Sequence, residues 1–403
     1  MDRPTIKPRT ARELGIMQGF PAVPEKRPTL LNWDLPPFNR WSFMNMRKLF
    51  PTADVKTSYQ SIQPLSYDLQ PLLKLSYKDA QGEDTTIANF LDRSYTDGFI
   101  VLHKGRIIHE SYANDMTEVT PHLSQSVAKS VVGSLAGILV EQGLVDINAP
   151  LVTYIPELAQ CGYKDALLEH ALCMTSGVRF TEDYNLPQSD MTRIDIASGW
   201  RPVPEGEKRL SIREVILTLP KIREHGEIFN YRSIETDVVA WALERATNKS
   251  LADLTSEYIW KKIGAEQDSF FTVDNETTAL ADGGFNATLR DYARFGLMMQ
   301  NDGYVGDQQV VPTTWVDACA TGDKSIYGDP YTQTCPNGAY SNFWWVNNIE
   351  EGDFMARGVF GQMIYVNRRT ETTIVKLSTW PDYLIQSYTV DALKAFAAIL
   401  KVN

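Results

Sequence analysis

The stretch 123–140 constrains the fold of this chain more than any other. It is built almost entirely of apolar and small residues, and Gly143 follows it as a stop signal. This composition predicts a helix that is apolar on all sides, and such a helix lies in a core rather than on a surface. A single charged residue, Lys129, interrupts the stretch.

Ser126 and Lys129 indicate a catalytic pair. Residues three apart share a helix face, so the hydroxyl and the amine are neighbours. An unpaired buried ammonium is costly or loses its proton, and an amine beside a hydroxyl is a base beside a nucleophile. Ser126 also lies near the helix N-terminus, where N–H groups favour developing negative charge. The alternative is a lysine that extends from a core helix to its edge, which the apolar surroundings disfavour.

Composition narrows the class of protein. The chain has 403 residues, of which 43% are hydrophobic and 22% charged, as in a globular protein of two or three domains or one large domain with an insertion. Its net charge of -11 argues against nucleic acid and membrane surfaces as partners, because both need a basic face. A homodimer is allowed but not specified.

The four cysteines form no Cys-x-x-Cys pair and no cluster with metal-ligand spacing. We therefore expect free thiols, a reducing compartment, and neither metal nor cofactor. The chain shows no secretory signal and no apolar run long enough to span a membrane. These observations predict a cytoplasmic protein.

Candidate strands lie near both ends of the chain and candidate helices lie between them. A proline- and aromatic-rich segment, 1–60, is expected to form an ordered arm over the body. The pattern predicts a sheet domain from 1–165 and 287–403, and an inserted helical domain, 166–286, with a ligand cleft between them. The predicted elements are a hairpin 99–103/106–112, helices 233–247, 288–300 and 389–400 with Ser233 and Thr288 as N-caps, and strands 342–347, 362–366 and 373–377.

A serine–lysine site needs a third group that passes a proton to the leaving atom. Tyr231 is the best candidate, because it lies just before a predicted helix of the middle segment. Other nucleophile and metal motifs are absent, including Gly-x-Ser-x-Gly, a Walker-type phosphate loop and His-Glu-x-x-His. The five histidines lack a supporting motif and are interpreted as structural: His103, His109, His122, His170 and His225.

Taken together, these motifs resemble the superfamily of serine β-lactamases, penicillin-binding proteins and esterases. The class C-like branch fits best, and within it the 6-aminohexanoate-dimer hydrolase group, also called nylon-oligomer hydrolases. The resemblance covers most of the chain. The segments that carry it are Ser126-Val-Ala-Lys129, Leu144-Val-Asp with Pro150 and Tyr154-Ile-Pro156, Tyr231-x-Ser233, 32–43, 198–201, 358–362 and 376–382.

The resemblance implies a fold and a set of roles. The fold is α/β (α+β), a β-lactamase-like antiparallel sheet flanked by helices with an inserted helical lobe. Ser126 matches the acylated nucleophile, Lys129 its base and Tyr231 the proton relay. The N–H groups of Ser126 and Val359 would form the oxyanion hole. The implied substrate-binding residues are Tyr184, Asp195, Trp200, Ser233, Asp282 and Gln362.

Two departures from true β-lactamases bear on the substrate. Ala356-Arg357-Gly358 stands where those enzymes have Lys-Thr-Gly on a sheet-edge strand, and that lysine helps to hold the carboxylate of penicillins. Arg357 could replace it only if its guanidinium pointed into the cleft. Ser233 stands where the Tyr-x-Asn motif has asparagine.

The sequence therefore predicts a serine hydrolase that cleaves small linear amides or carboxylic esters through an acyl-enzyme. One alternative is a β-lactamase or D-Ala-D-Ala carboxypeptidase. A second alternative is a ligand-binding protein that has kept the fold and lost turnover, against which the intact catalytic set argues.

Overall fold

The computed structural model describes residues 7–60 and 62–402. In these residues the strands are Thr52–Val55 (β1), Ser76–Lys78 (β2), Asp84–Thr86 (β3), Thr96–His103 (β4), Arg106–Tyr112 (β5), His122–Leu123 (β6), Ser269–Thr272 (β7), Phe285–Ala287 (β8), Tyr304–Val305 (β9), Gln308–Gln309 (β10), Ala339–Ser341 (β11), Trp344–Asn348 (β12), Asp353–Gly358 (β13), Gln362–Asn367 (β14) and Thr372–Ser378 (β15).

The α-helices of the same residues are Asn39–Ser42 (α1), Ile87–Arg93 (α2), Val127–Glu141 (α3), Leu168–Leu172 (α4), Asp190–Ala197 (α5), Ile212–Ile216 (α6), Ile234–Thr247 (α7), Leu251–Thr255 (α8), Leu289–Gln300 (α9), Thr313–Thr321 (α10) and Gln386–Leu400 (α11). None of the helices in the described part of the chain is long and apolar enough to cross a bilayer.

A seven-stranded antiparallel sheet lies at the centre, in the order β11-β12-β13-β14-β15-β4-β5. Strands from both ends of the chain build it, as predicted. The predicted hairpin is β4–β5, and its turn residues Lys104 and Gly105 both have positive φ, 48° and 73°. Turns of this kind match the twist of the strands they join.

The residue pattern missed β13, although the resemblance implied a strand at 356–358, and the reason is physical. Its first four residues are buried, so it lacks the alternation of polar and apolar residues that marks a half-buried strand. The predicted strand 342–347 also begins later, at Trp344. Asn342 and Phe343 have φ of 50° and 64° and turn the chain from β11 into β12.

Helix α3 packs through the interior, as predicted, and its residues 127–139 are all buried. Gly133 permits this close packing, because a Cβ there would lie 2.1 Å from the carbonyl oxygen of Asn342. The predicted start of the helix at residue 123 was wrong. Leu123 ends β6, and the helix begins only after Ser126.

Of the two predicted helix caps, one is confirmed and the other is wrong. Thr288 caps α9 by accepting a hydrogen bond from the N–H of Asp291, as predicted. Ser233 does not cap α7: its own backbone is helical and its hydroxyl donates elsewhere. The C-terminal helix α11 begins at Gln386, three residues before the predicted start.

The middle segment is helical only in part. Helices α4–α8 lie in it, and a π-helical turn extends α8 to Trp260. Strands β7 and β8 follow within the same segment and form a four-stranded sheet with β1 and β6. The exact domain boundaries stay a prediction.

The described part of the N-terminal segment is an ordered arm, as predicted. Trp33 is fully buried and its indole N–H donates to the carbonyl of Trp200 at 2.9 Å. Arg40 forms a buried ion pair with Asp97 at 2.7 Å. The arm therefore ties the middle segment to the central sheet.

Candidate active site

The predicted nucleophile, Ser126, lies where β6 passes into α3. Gln125, just before it, has a φ of 49°, a left-handed conformation that non-glycine residues seldom adopt. Ser126 follows, directly before the first residue of α3, and lines a cavity of about 590 Å³. Strain of this kind is common at active sites, where the surrounding structure maintains it.

Lys129 lies behind Ser126 and is almost fully buried, with 1% of its surface exposed. Its Nζ donates to Ser126 Oγ at 2.9 Å and to the carbonyl oxygen of Asp282 at 2.6 Å. The spacing of three residues therefore brings the hydroxyl and the amine together, as predicted.

The charge on Lys129 differs from the expectation of an unpaired amine. Burial lowers the pKa of this lysine, but Tyr231, Asp282, Glu182 and Asp237 face it and raise the pKa above its ordinary value. The resting form of Lys129 is therefore an ammonium. The sequence could not reveal this, because the acidic groups come from three distant segments.

Tyr231 covers the pair from the cavity side. Lys129 Nζ lies 5.4 Å from the centre of its ring. The ring stacks on Trp345 with centroids 5.2 Å apart, and the Tyr231 N–H donates to the hydroxyl of Tyr331. Burial raises the pKa of Tyr231, whereas Lys129 and a hydrogen bond with Ser126 oppose the rise.

The residue after Tyr231 fixes the position of the loop. Arg232 is fully buried, pairs with Glu235 at 3.1 Å and donates to the carbonyl of Val178 at 2.6 Å. The sequence around this arginine is mixed polar and apolar and does not show what its side chain binds.

The end of β13 brings the second predicted oxyanion-hole group to the nucleophile. Gly358 permits the approach, because a Cβ there would lie 2.5 Å from the carbonyl oxygen of Ser124. Val359 follows and lines the same cavity as Ser126. In the described residues, neither Ser126 nor Val359 donates its backbone N–H to a protein acceptor.

Strand β13 is not a sheet-edge strand over its whole length, because β12 pairs with it up to Met355. Its pairing with β14 continues to Gly358. Residues 356–358 thus extend past the end of β12, and their outer edge is open toward the cavity. The resemblance implied an edge position for these three residues, and locally they have one.

Gln362 supports this edge from behind. It is fully buried, and its amide Nε2 donates to the carbonyls of Val359 and Ser378 at 3.3 and 2.6 Å. Its Oε1 accepts the N–H of Ser378 at 3.0 Å. The predicted substrate contact through this side chain was therefore wrong, since its polar atoms hold the backbone beside Val359.

Glu182 is a cavity residue that the sequence did not single out. Its carboxylate accepts hydrogen bonds from the hydroxyl of Tyr184 at 2.7 Å and from both the hydroxyl and the N–H of Ser233 at 2.6 and 2.9 Å. Tyr184 lines the cavity, as predicted. Ser233 does not line it and instead forms hydrogen bonds with Glu182 and Asp282. A glutamate two residues before a predicted site tyrosine was the available signal.

The other predicted substrate contacts lie outside the lining of this cavity. The pKa of Asp195 is raised to about 8, chiefly by burial; Arg201 opposes the rise, and the carboxylates of Asp34 and Asp282 add to it. Trp200 is buried and packs edge-on against Trp33, with centroids 4.9 Å apart. Asp282 lies deeper, and burial raises its pKa to about 6 although Lys129 opposes the shift.

Metal ligands are not assembled here. Within residues 7–60 and 62–402, no group of three or more His, Cys, Asp or Glu residues is arranged to hold a metal ion.

Comparison with known proteins shows the family in which this site geometry occurs. The β-lactamase family model matches residues 84–392. The chain belongs to the β-lactamase family. The 6-aminohexanoate-dimer hydrolase of Paenarthrobacter ureafaciens is 33% identical over 365 residues, which cover 90% of this chain and 91% of that protein. The chain is a serine hydrolase of this family.

Two solved structures share the fold of this chain. One is from Bacillus anthracis, and its name proposes it as a 6-aminohexanoate-dimer hydrolase. It has a TM-score of 0.85 and 28% identity, and the match covers 92% of this chain and 96% of that one. A family VIII carboxylesterase shares the fold, with a TM-score of 0.57 and 15% identity over 77% of this chain and 95% of that one.

The two raised pKa values predict a pH dependence for this β-lactamase-family site. With Lys129 and Tyr231 both protonated at neutral pH, the pair lacks a base until it loses one proton. The acylation rate with p-nitrophenyl acetate should therefore rise with pH above neutrality. Because Lys129 lowers the pKa of Tyr231, the first proton of the pair can leave from either group. Tyr231→Phe removes one of these two routes, so the rise should move to higher pH in this variant. Stopped-flow burst kinetics measure it, and a profile that moves to lower pH in the variant would contradict this assignment.

Proposed function

We propose that this hydrolase cleaves small linear amides or carboxylic esters through an acyl-enzyme on Ser126. The observation that carries the proposal is the contact of 2.9 Å between Lys129 Nζ and Ser126 Oγ at the wall of a cavity of about 590 Å³. A nucleophile, a base and a hydroxyl that can protonate the leaving atom are the groups that acyl transfer needs.

Acylation begins when the Lys129–Tyr231 pair has lost one proton. Ser126 Oγ attacks the carbonyl carbon and gives its proton to the pair. The N–H groups of Ser126 and Val359 bind the resulting oxyanion, as donors fixed in advance of the reaction. Tyr231 then passes a proton to the leaving nitrogen or oxygen, and the amine or alcohol departs.

Deacylation repeats these steps with water as the nucleophile. The pair accepts a proton from the attacking water, and the same two N–H groups bind the second oxyanion. The proton returns to Ser126 Oγ when the ester bond breaks. One water is consumed, the acid product is released, and the free Ser126 hydroxyl is restored.

A linear amide or ester is favoured over a β-lactam. The relative that is 33% identical over 90% of this chain is named for 6-aminohexanoate dimer, a linear amide. Ala356 stands where a β-lactamase has its lysine; it is fully buried and carries no charge. A β-lactamase activity would therefore lack the cation that this position supplies in lactam-cleaving enzymes, and the neighbouring Arg357, which lines the cavity, would have to replace it.

We also propose a cytoplasmic location. All four cysteines are free thiols, the state that a reducing compartment maintains. The homodimer stays a prediction.

A substrate panel on one preparation tests the proposed function. We expect hydrolysis of p-nitrophenyl esters and of 6-aminohexanoate dimer, and feeble or no turnover of nitrocefin, a chromogenic β-lactam. Nitrocefin turnover as efficient as that of p-nitrophenyl acetate would reverse the ranking of amidase and β-lactamase. Labelling by a fluorophosphonate without turnover of any substrate would favour the ligand-binding protein.

Asp195 lies outside the cavity lining but within electrostatic reach of Glu182, which belongs to that lining. We propose that it binds the ammonium end of an amine-bearing amide where the substrate chain extends beyond the lining. A partly desolvated carboxylate–ammonium pair supplies a few kcal/mol, so Asp195→Ala should lower kcat/KM for 6-aminohexanoate dimer roughly ten- to a hundredfold relative to p-nitrophenyl acetate. The carboxyl ionises only as pH rises toward its pKa of about 8, so KM for the dimer should fall over the same range in the wild type.

Two outcomes would change this role. If Asp282 also binds the ammonium, only the double variant of Asp195 and Asp282 will lose the preference for 6-aminohexanoate dimer over p-nitrophenyl acetate. Equal losses on both substrates in Asp195→Ala would show that this residue shapes the site and does not bind the ammonium.

A further inference from the structure

We infer that Arg357 binds a carboxylate carried by the leaving group and thereby sets the preference of this site for a negatively charged leaving group. This inference rests on the proposed function and names a specificity-determining residue of the same site. The residues that carry it are Arg357, Trp345 and Tyr231, which follow one another along one wall of the cavity.

The two charged residues of the cavity wall differ in whether they already have partners in the protein. Of the described residues that line it, Arg357 is the one cation and Glu182 is the one anion. Three hydrogen bonds from Tyr184 and Ser233 occupy the carboxylate of Glu182. Arg357 has no carboxylate within ion-pair distance among residues 7–60 and 62–402. The free charge in the cavity is therefore positive.

The guanidinium of Arg357 is held over an aromatic surface. It lies 5.0 Å from the ring centre of Trp345 and is partly exposed. Stacking of this kind fixes the plane of the guanidinium and leaves its N–H groups at the edge free to donate. Two parallel N–H donors fit a carboxylate better than they fit a carbonyl or a hydroxyl.

The position of Arg357 relative to Tyr231 identifies the part of the substrate that Arg357 contacts. Trp345 stacks on Tyr231 with centroids 5.2 Å apart, so Arg357 lies within two such spacings of the proposed proton donor. Tyr231 serves the leaving atom, and Arg357 therefore lies on the leaving-group side of the scissile bond. A chain of several methylenes between the leaving atom and the carboxylate spans this interval.

The backbone supports the same direction. Arg357 pairs with Met363 across β13 and β14, and Met363 also lines the cavity. Side chains of paired residues lie on the same face of a sheet. Ala356, the position of the missing lysine, is next in the strand and faces the opposite side, into the core.

Two esters that differ only in charge test the inference: 6-acetoxyhexanoate and 6-acetoxyhexanamide. In the wild type, kcat/KM for the carboxylate should exceed that for the carboxamide roughly tenfold or more. Arg357→Gln should bring the two values within about twofold of each other. Arg357→Lys should retain part of the preference, because a lysine keeps the charge but loses the paired donors. The ratio within each variant is the readout, so a general loss of activity cancels.

Arg369→Gln is the matched control. Arg369 is exposed on the turn after β14 and pairs with Glu351, so this variant should keep the wild-type ratio. A preference that persists in Arg357→Gln, or that is lost equally in Arg369→Gln, would overturn the inference.

A binding measurement separates this inference from the proposed function. Calorimetry with Ser126→Ala compares 6-hydroxyhexanoate and 6-hydroxyhexanamide without any turnover. We expect roughly tenfold tighter binding of the carboxylate, abolished when Arg357→Gln is added. If the wild type hydrolysed neither ester, the proposed function would fail while this comparison still decided the role of Arg357. Equal affinities for the two ligands would overturn it.

Discussion

Ser126→Ala is expected to lower kcat for p-nitrophenyl acetate by roughly a thousandfold or more. The loss of a nucleophile that acts together with its base typically costs several orders of magnitude. Ser126 Oγ is the acceptor of the Lys129 hydrogen bond, and no other nucleophile is proposed. The measurement is the steady-state rate beside the burst amplitude, which should vanish.

Ser134→Ala provides the matched control on the same helix. Ser134 is buried and its hydroxyl donates to the carbonyl of Ser130, away from the cavity lining. We expect this variant to keep most of its activity, with a small loss of stability. If Ser126→Ala kept a tenth or more of the wild-type rate, the proposed site would be wrong.

Lys129→Met is expected to reduce turnover about as strongly as the loss of the nucleophile, since the two residues act as a unit. Tyr231→Phe should also reduce amide turnover strongly, because an amine leaves poorly without a proton donor. The double variant should cost less than the two single losses combined, as expected for residues in contact. Additive losses in this cycle would show that the two groups act independently.

The stability of Lys129→Met should depend on pH. The pKa of Asp282 is raised to about 6, and Lys129 opposes that rise. A carboxyl whose pKa is raised in the folded state destabilises the fold once pH exceeds its unfolded value, and fully so above the folded one. Without Lys129 this cost grows, so the variant should lose more stability at about pH 8 than at about pH 5. Thermal unfolding at both values tests this, and an equal loss at both would mean that the lysine does not compensate Asp282.

The sequence predicted the parts of the site that lie close together along the chain. Ser126 and Lys129 meet because a helix brings residues three apart onto one face. The buried course of α3 followed from its composition, and the β4–β5 turn from Lys104-Gly105. Local rules of this kind do not depend on the rest of the fold.

The parts that were missed depend on distant contacts. Glu182 accepts a hydrogen bond from Ser233, 51 residues away, and the buried Arg232 donates to the carbonyl of Val178, 54 residues away. Nothing in the immediate sequence of Glu182 or Arg232 shows these partners. The family resemblance assigned Gln362 to substrate binding. Its amide instead holds Ser378, which lies sixteen residues away. Likewise, the expectation of an unpaired Lys129 failed because its acidic partners come from other elements.

The central claim is that Ser126 forms the covalent acyl-enzyme, and mass spectrometry after reaction with a fluorophosphonate tests it most directly. We expect the intact protein to gain the mass of one phosphonyl group, with fragmentation placing that group on Ser126. Labelling should be absent in Ser126→Ala and slowed in Lys129→Met. A phosphonyl group on any other residue, or full labelling of Ser126→Ala, would contradict the account.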